Sequence, residues 1–180
     1  MSTGRLDIRL AGSGGQGLVL AGVILAEAAL ASGRDVVQSQ AYGPASRGGA
    51  SRCDVVIGER IGFPVVSALD VLVALTRDAC HRYLAGLRET GLLLLDERRV
   101  CPVPDGPWRA RTLPIEATAA RVATPMTANI VALGALAGLT EIASEEALAA
   151  AIRARVPGRT IPGNLRALRA GFELIRNQER

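Results

Sequence analysis

Two glycine-rich segments carry the residues whose types and spacing could bind an anion. The first reads Gly12-Ser-Gly-Gly-Gln-Gly17; it follows the apolar stretch 6–11 and opens a helical pattern over 16–31. Glycines permit a tight turn and a close approach of the backbone, and the start of a helix presents free N–H groups with partial positive charge. A strand, a glycine turn and a helix in this order are typical of a phosphate-binding loop.

The second segment, Tyr42-Gly-Pro-Ala-Ser-Arg-Gly-Gly-Ala-Ser51, places Arg47 between a Gly-Pro turn and a Gly-Gly pair. Arginine binds phosphate or carboxylate groups bidentately, so Arg47 and the nearby Arg52 favour an anion or partner contact over a surface arginine beside a flexible turn. The residues predicted to bind an anionic ligand are Gly12, Gly14, Gly15, Gln16, Gly17, Arg47, Gly48, Gly49 and Arg52.

The spacing of Gly12, Gly14 and Gly17 also fits the Gly-x-Gly-x-x-Gly motif of dinucleotide-binding proteins. Such proteins need an acidic residue at the end of the second strand to hold the ribose. The predicted second strand, 35–41, ends without an acid, and Asp35 lies at its beginning. Binding of NAD is therefore disfavoured. A purely structural role, in which the glycines permit close strand–helix packing, stays open.

No complete catalytic set is visible elsewhere in the sequence. His81 is the sole histidine and lies on a predicted helix without a nucleophile pattern around it. The chain has no lysine, which excludes a Schiff-base or Walker-type lysine. The three cysteines, Cys53, Cys80 and Cys101, form no Cys-x-x-Cys pair, so we predict no catalytic residue, iron–sulfur cluster or other metal site in this chain. Ligand-binding features without catalytic machinery are typical of a subunit.

The composition of the chain limits the classes of protein to which it can belong. A chain of 180 residues with 49% hydrophobic content can form one domain with a substantial core, and we expect a single domain over 1–180. No apolar run is long enough for a membrane span, and no cleavable signal is visible. A sparse, odd cysteine count favours the cytoplasm. Aromatic residues make up 3% of the chain, which disfavours a base-stacking surface for nucleic acid.

Strand-like and helix-like segments alternate through the first 95 residues. We therefore expect an α/β fold: one Rossmann-like domain with a mainly parallel sheet, helices on both faces and a helical C-terminal third. Strands are predicted over 6–11, 35–41, 50–57, 65–75 and 91–95. Helices are predicted over 16–32, 78–89, 115–122, 127–139 and 161–176, with a further helix starting at Ser144.

In such a fold the loops that follow the first and second strands emerge at the same edge of the sheet. We therefore expect the glycine loop and Arg47 to line one shared cleft. A pyrophosphate or a 3′-phosphate such as that of coenzyme A has the right charge for that cleft.

The two glycine motifs, taken as a pair, resemble those of the gamma subunit of 2-oxoacid:ferredoxin (acceptor) oxidoreductases. The strand around Asp70 and the segments 128–136 and 164–171 are also similar to that family, so the resemblance covers nearly the whole chain. It implies an α/β module in a complex that converts a 2-oxoacid and coenzyme A to an acyl-CoA and carbon dioxide. It also implies that thiamine diphosphate, Mg²⁺ and iron–sulfur clusters are bound by partner subunits and that ferredoxin accepts the electrons.

For this chain the resemblance implies subunit docking and a role on the coenzyme A side of the active site, with coenzyme A as co-substrate. The residues implied in partner contacts are Tyr42, Gly43, Pro44 and Ser46. The Tyr-Gly-Pro sequence is closer to 2-oxoglutarate-type gamma subunits than to the indolepyruvate-type beta subunit, which shares the fold. A stand-alone dinucleotide-binding oxidoreductase and a docking module without a ligand are the alternatives.

Overall fold

The computed structural model describes residues 4–42, 50–63 and 65–178. They form a six-stranded sheet with the order β2-β3-β1-β4-β5-β6. The strands are β1 (Arg5–Ser13), β2 (Asp35–Tyr42), β3 (Ala50–Gly58), β4 (Leu69–Ala74), β5 (Leu87–Asp96) and β6 (Arg109–Leu113). The helices are α1 (Leu18–Ala31), α2 (Arg77–Tyr83), α3 (Ile115–Val122), α4 (Ala128–Thr140), α5 (Glu145–Arg155) and α6 (Ile161–Arg176).

The sheet is mainly parallel, as the alternation of elements predicts. Strands β1, β4, β5 and β6 form a run of parallel neighbours. Strand β3 is the exception, because it pairs antiparallel with both β1 and β2. As a result, β2 points the same way as β1 but is separated from it by one strand. Because β2 and β3 are antiparallel neighbours, the chain reverses direction between them and needs no helical crossover.

The two faces of the sheet are covered unequally. Helices α1, α3, α4, α5 and α6 pack with the larger hydrophobic core on one face, which includes the helical C-terminal third predicted from the sequence. The opposite face holds a smaller core around the seven-residue α2. The charged residues Arg5, Asp7 and Arg9 alternate along β1, since successive side chains of a strand point to opposite faces. The face opposite α1 is therefore polar near β1.

Two predicted elements differ from the structure. The helix expected over 78–89 ends at Tyr83, and a short 3₁₀ turn then leads into β5 at Leu87. Leu87 is buried and pairs with Leu69 of β4, so strand pairing prevails over the local helical preference. Strand β6 is not among the strands predicted from the sequence. By contrast, the bounds of α3 and α6 agree with the prediction.

Among the described residues, no helix combines the length and apolar character needed to cross a membrane.

Candidate anion-binding site

The glycine loop between β1 and α1 is a tight turn that needs glycine at two positions. Gly15 and Gly17 have φ values of 91° and 69°, in the left-handed region that side chains disfavour. The Gln16 side chain folds back over the turn, where its Oε1 accepts a hydrogen bond of 2.7 Å from the Ser13 N–H. A Cβ at Gly12 would overlap this Oε1. Gly12 and Gln16 therefore stabilise the turn together.

A side chain from the far end of the sequence locks the start of α1. Asn129, in the first turn of α4, is 6% exposed, and its Nδ2 donates a hydrogen bond of 2.8 Å to the carbonyl of Gly17. Its Oδ1 accepts a hydrogen bond of 2.9 Å from the Ile130 N–H. A Cβ at Gly17 would lie 2.6 Å from Asn129 Nδ2, so glycine is required there by contact as well as by φ. The starts of α1 and α4 are thus directly linked.

Helices α4 and α6 pack side by side in the same direction. Near their middles, Gly134 faces the carbonyl of Leu168, and further along Gly138 faces Ile175. The sequence offset between these contacts stays nearly constant, which identifies the pair as parallel. The N-termini of α4 and α6 consequently lie at the same end, and Asn129 brings the N-terminus of α1 to that end too.

Three helix N-termini are thereby oriented toward the edge of the sheet at which β1 ends. Each helix N-terminus carries about half a positive charge and N–H groups that lack intrahelical partners. Gly17, the N-cap of α1, has no side chain to cap these groups. Parallel dipoles side by side repel, and an anion at their positive ends offsets that repulsion. The arrangement thus favours a negatively charged ligand at this edge.

The second glycine-rich segment begins and ends at the same edge. Ala50, where β3 begins, pairs with Ser13 of β1, and Tyr42, where β2 ends, pairs with Ser51. The backbone register therefore brings both ends of the segment to the strand end that carries the glycine loop, with Ala50 directly beside Ser13 and Tyr42 one strand further away. The candidate residues Gly43, Pro44, Ser46, Arg47, Gly48 and Gly49 themselves lie outside the described residues.

The structure places Arg52 away from the glycine loop. Its guanidinium group lies 5.6 Å from the centre of the Tyr83 ring of α2, and its Nε lies 3.9 Å from Asp54 Oδ2. The neighbouring Cys53 points to the other face, where it contacts Gly22 of α1. Since side chains of a strand alternate between faces, Arg52 belongs to the face opposite α1. This placement does not support the expectation that Arg52 and the α1 N-terminus hold one anion.

The face opposite α1 carries a charged cluster that the motif search missed. Arg9 Nε and Nη2 donate hydrogen bonds of 2.6 and 2.7 Å to the two carboxylate oxygens of Asp54, which is 6% exposed. The Arg9 guanidinium also lies 4.9 Å from the centre of the Tyr83 ring. A bidentate pair beside an aromatic ring is a stable arrangement for a buried arginine. The charged residues at every second position of β1 were the sequence feature that could have predicted this cluster.

The surroundings of the cysteines and of Asp96 indicate structural roles for these residues. Cys53 and Cys80 are buried, and burial raises the pKa of both thiols, whereas Cys101 is exposed. Asp96 is buried, and its carboxylate accepts hydrogen bonds from the N–H groups of Arg98, Arg99 and Glu116, which is a structural role at a turn. Within residues 4–42, 50–63 and 65–178, no three His, Cys, Asp or Glu side chains are grouped so as to hold a metal ion.

The topology does not favour a dinucleotide in this loop. In Rossmann folds the second strand pairs beside the first and supplies an acid for the ribose. Here β3 lies between β1 and β2, and β2 ends in the sequence Gln40-Ala-Tyr42. The glycine motif is thus present without the strand order and the acid that dinucleotide binding uses.

Comparison with known proteins gives consistent matches over nearly the whole chain. Residues 7–174 match the family model described as pyruvate ferredoxin/flavodoxin oxidoreductase. The 2-oxoglutarate synthase subunit KorC of Methanocaldococcus jannaschii is 43% identical over 177 residues, covering 96% of this chain and 95% of that protein. The ketoisovalerate oxidoreductase subunit VorA of Methanothermobacter thermautotrophicus is 39% identical, and the match covers 94% of this chain and 36% of that longer one.

Among solved structures, the chain is similar to the gamma subunit of a keto/oxoacid ferredoxin oxidoreductase from Geobacter sulfurreducens PCA. The two are 45% identical with a TM-score of 0.87, and the match covers 97% of this chain and 98% of that chain.

Proposed function

Because this chain belongs to the pyruvate ferredoxin/flavodoxin oxidoreductase family, we propose that it is the gamma subunit of a multi-subunit 2-oxoacid:ferredoxin oxidoreductase in the cytoplasm. The observation that carries this proposal is the match, end to end, with a 2-oxoglutarate synthase subunit and with a solved gamma subunit. One α/β domain over 1–180 then constitutes the subunit. Relatives from 2-oxoglutarate and ketoisovalerate enzymes both match, so 2-oxoglutarate is the first of several oxoacids to assay.

The reaction proposed for the whole complex joins a 2-oxoacid to coenzyme A, releases carbon dioxide and passes two electrons to ferredoxin. We assign thiamine diphosphate, Mg²⁺ and the iron–sulfur clusters to partner subunits. The described part of this chain offers no grouped metal ligands, and its cysteines lie on separate elements. The cysteines therefore do not fit an iron–sulfur cluster. The contribution of this chain is therefore binding and docking rather than redox chemistry.

We further propose that the edge where the glycine loop meets the N-terminus of α4, with the N-terminus of α6 at the same end, binds the phosphate groups of coenzyme A. The partial positive charges of three helices and the N–H groups at the start of α1 support an anionic ligand. Gly12, Gly14, Gly15, Gln16 and Gly17 form the turn. Arg47, Gly48 and Gly49 lie on the segment whose ends are fixed beside it.

Partner contact is the second proposed role of this region. Tyr42 ends β2, and Gly43, Pro44 and Ser46 follow it in the sequence before Arg47. We propose that they contact the thiamine-binding subunit, which would place the coenzyme A phosphates near the reacting centre of the complex.

The subunit assignment is tested by reconstitution. The isolated chain should not oxidise any 2-oxoacid. Coenzyme A-dependent reduction of ferredoxin should appear when it is combined with the thiamine-binding and cluster-binding subunits. Turnover by the isolated chain, or tight saturable binding of NAD, NADP or FAD to it in calorimetry, would instead support a stand-alone oxidoreductase.

Arg47→Ala tests the coenzyme A role. A charge-assisted hydrogen bond contributes about 1.5–3 kcal/mol, so its loss should raise the KM for coenzyme A by about ten-fold or more. Decarboxylation of the oxoacid in the absence of coenzyme A should be retained. A weakened assembly with an unchanged KM would indicate a docking module that binds no ligand.

A further inference from the structure

Asn129 lies in the segment 128–136 that resembles the gamma-subunit family, and its side chain joins two elements of the candidate site. It is buried at the start of α4, and its hydrogen-bond partner, the Gly17 carbonyl, belongs to the N-cap of α1, 112 residues away. Gly17 has no side chain and makes no capping bond. The Asn129 carboxamide therefore supplies a direct hydrogen bond between the two helix starts, in addition to their packing in the shared core.

Both polar atoms of the Asn129 carboxamide make hydrogen bonds. Oδ1 accepts from the Ile130 N–H within α4, which fixes the side-chain orientation, and Nδ2 then points at the Gly17 carbonyl. Contact with Gly17 is close enough that a Cβ there would lie 2.6 Å from Nδ2. An acceptor in place of Nδ2 would face the carbonyl oxygen and repel it.

We propose that Asn129 is a positioning residue for the phosphate groups of coenzyme A. It holds the N–H groups at the start of α1 in a fixed place relative to the first turn of α4. This inference rests on the proposed function and adds to it a residue that does not touch the ligand but orders the groups that do.

The test compares Asn129→Asp and Asn129→Ala with wild type in the assembled enzyme. Asp has nearly the shape of Asn and still accepts from Ile130, but it presents an oxygen to the Gly17 carbonyl and adds a negative charge at the site. We expect Asn129→Asp to raise the KM for coenzyme A more than ten-fold and Asn129→Ala several-fold. The kcat at saturating coenzyme A should change less than two-fold in both variants.

Ser144→Ala is the matched control for a purely structural effect. Ser144 caps α5 through a bond from the Ala147 N–H, and it lies beside the C-terminal end of α4, away from the candidate site. Loss of such a cap lowers stability to an extent typical of a lost buried hydrogen bond. Ser144→Ala should therefore lower the melting temperature while leaving the KM for coenzyme A unchanged.

Melting temperatures measured over a range of pH distinguish loss of the Asn129–Gly17 hydrogen bond from loss of packing alone. When protonated, the carboxyl of Asn129→Asp can donate to the Gly17 carbonyl and restore the link. The carboxylate form has no hydrogen to donate and presents an oxygen to that carbonyl, so this contact is lost as the carboxyl deprotonates. The deficit of Asn129→Asp in melting temperature should narrow on acidification, whereas that of Asn129→Ala should not.

The outcomes are distinguishable from failure of the proposed function. If Arg47→Ala raises the KM for coenzyme A and Asn129→Asp leaves it unchanged, the positioning role is wrong while the coenzyme A site stands. If Asn129→Asp and Ser144→Ala raise the KM equally, Asn129 acts only through stability and the inference is overturned. If wild type does not assemble with partner subunits, the subunit assignment itself fails.

Discussion

Adding one methyl group at Gly171 should measurably destabilise the protein, because this glycine is where α6 approaches α4 most closely. A Cβ at Gly171 would lie 2.8 Å from Ala135 N and 2.9 Å from Gly134 Cα, and nearer still to the Val131 carbonyl oxygen. All three are backbone atoms, so no side chain can rotate away. Carbon atoms pack at about 3.5–4.0 Å, so the helices must separate by about 1 Å.

The magnitude follows from two opposing effects. Overpacking costs about 1–3 kcal/mol, and the backbone contacts place this site at about 3 kcal/mol. Replacing glycine with alanine inside a helix contributes about 1 kcal/mol in the stabilising direction. The expected loss in the free energy of unfolding is therefore about 2 kcal/mol. For a chain of this size that corresponds to a melting temperature lower by about 4–8 °C.

The assay is thermal unfolding of Gly171→Ala beside Gly163→Ala, a control on the same helix. A Cβ at Gly163 would lie 3.5 Å from Ala123 Cβ, which is an ordinary contact. Gly163→Ala should therefore unfold at or above the wild-type temperature. A Gly171→Ala protein that melts at the same temperature as Gly163→Ala would refute the close parallel packing of α4 and α6, and with it the convergence of their N-termini.

Two further predictions concern the buried groups. In the native protein a thiol reagent should modify one cysteine, Cys101, and all three only after unfolding, since Cys53 and Cys80 are buried with a raised thiol pKa; rapid native reaction at three thiols would contradict these positions. Arg9→Met leaves the buried Asp54 carboxylate without its bidentate partner and should cost about 3–5 kcal/mol in denaturant unfolding. The double variant Arg9→Met with Asp54→Leu should recover most of that loss, and a double variant no more stable than Arg9→Met would show that the pair's packing, rather than the unpaired charge, sets the cost.

Local patterns predicted much of the fold. The bounds predicted for α6 agree with the structure, and the alternation of elements predicted a mainly parallel sheet. Pairing between distant strands could not be read in this way. The antiparallel insertion of β3 and the formation of strand rather than helix over 87–89 depend on partners far along the chain.

In the candidate site, too, local features could be predicted from the sequence, whereas contacts between distant residues could not. The glycine loop and its position before α1 were predictable from composition and order, because they are local features. Asn129 was not, since its role depends on a contact with Gly17 across 112 residues. Arg52 was expected in the site from proximity in sequence, but the alternation of β3 directs it to the opposite face.

The most direct test of the central claim is hydrogen–deuterium exchange of the assembled enzyme with and without coenzyme A. The claim is that the edge formed by the glycine loop and the N-termini of α1 and α4 binds the phosphate groups of coenzyme A. Amides over 14–20 and 124–130 should then exchange more slowly when coenzyme A is bound. Protection confined to the partner subunits, with unchanged exchange in both of these segments, would contradict the account.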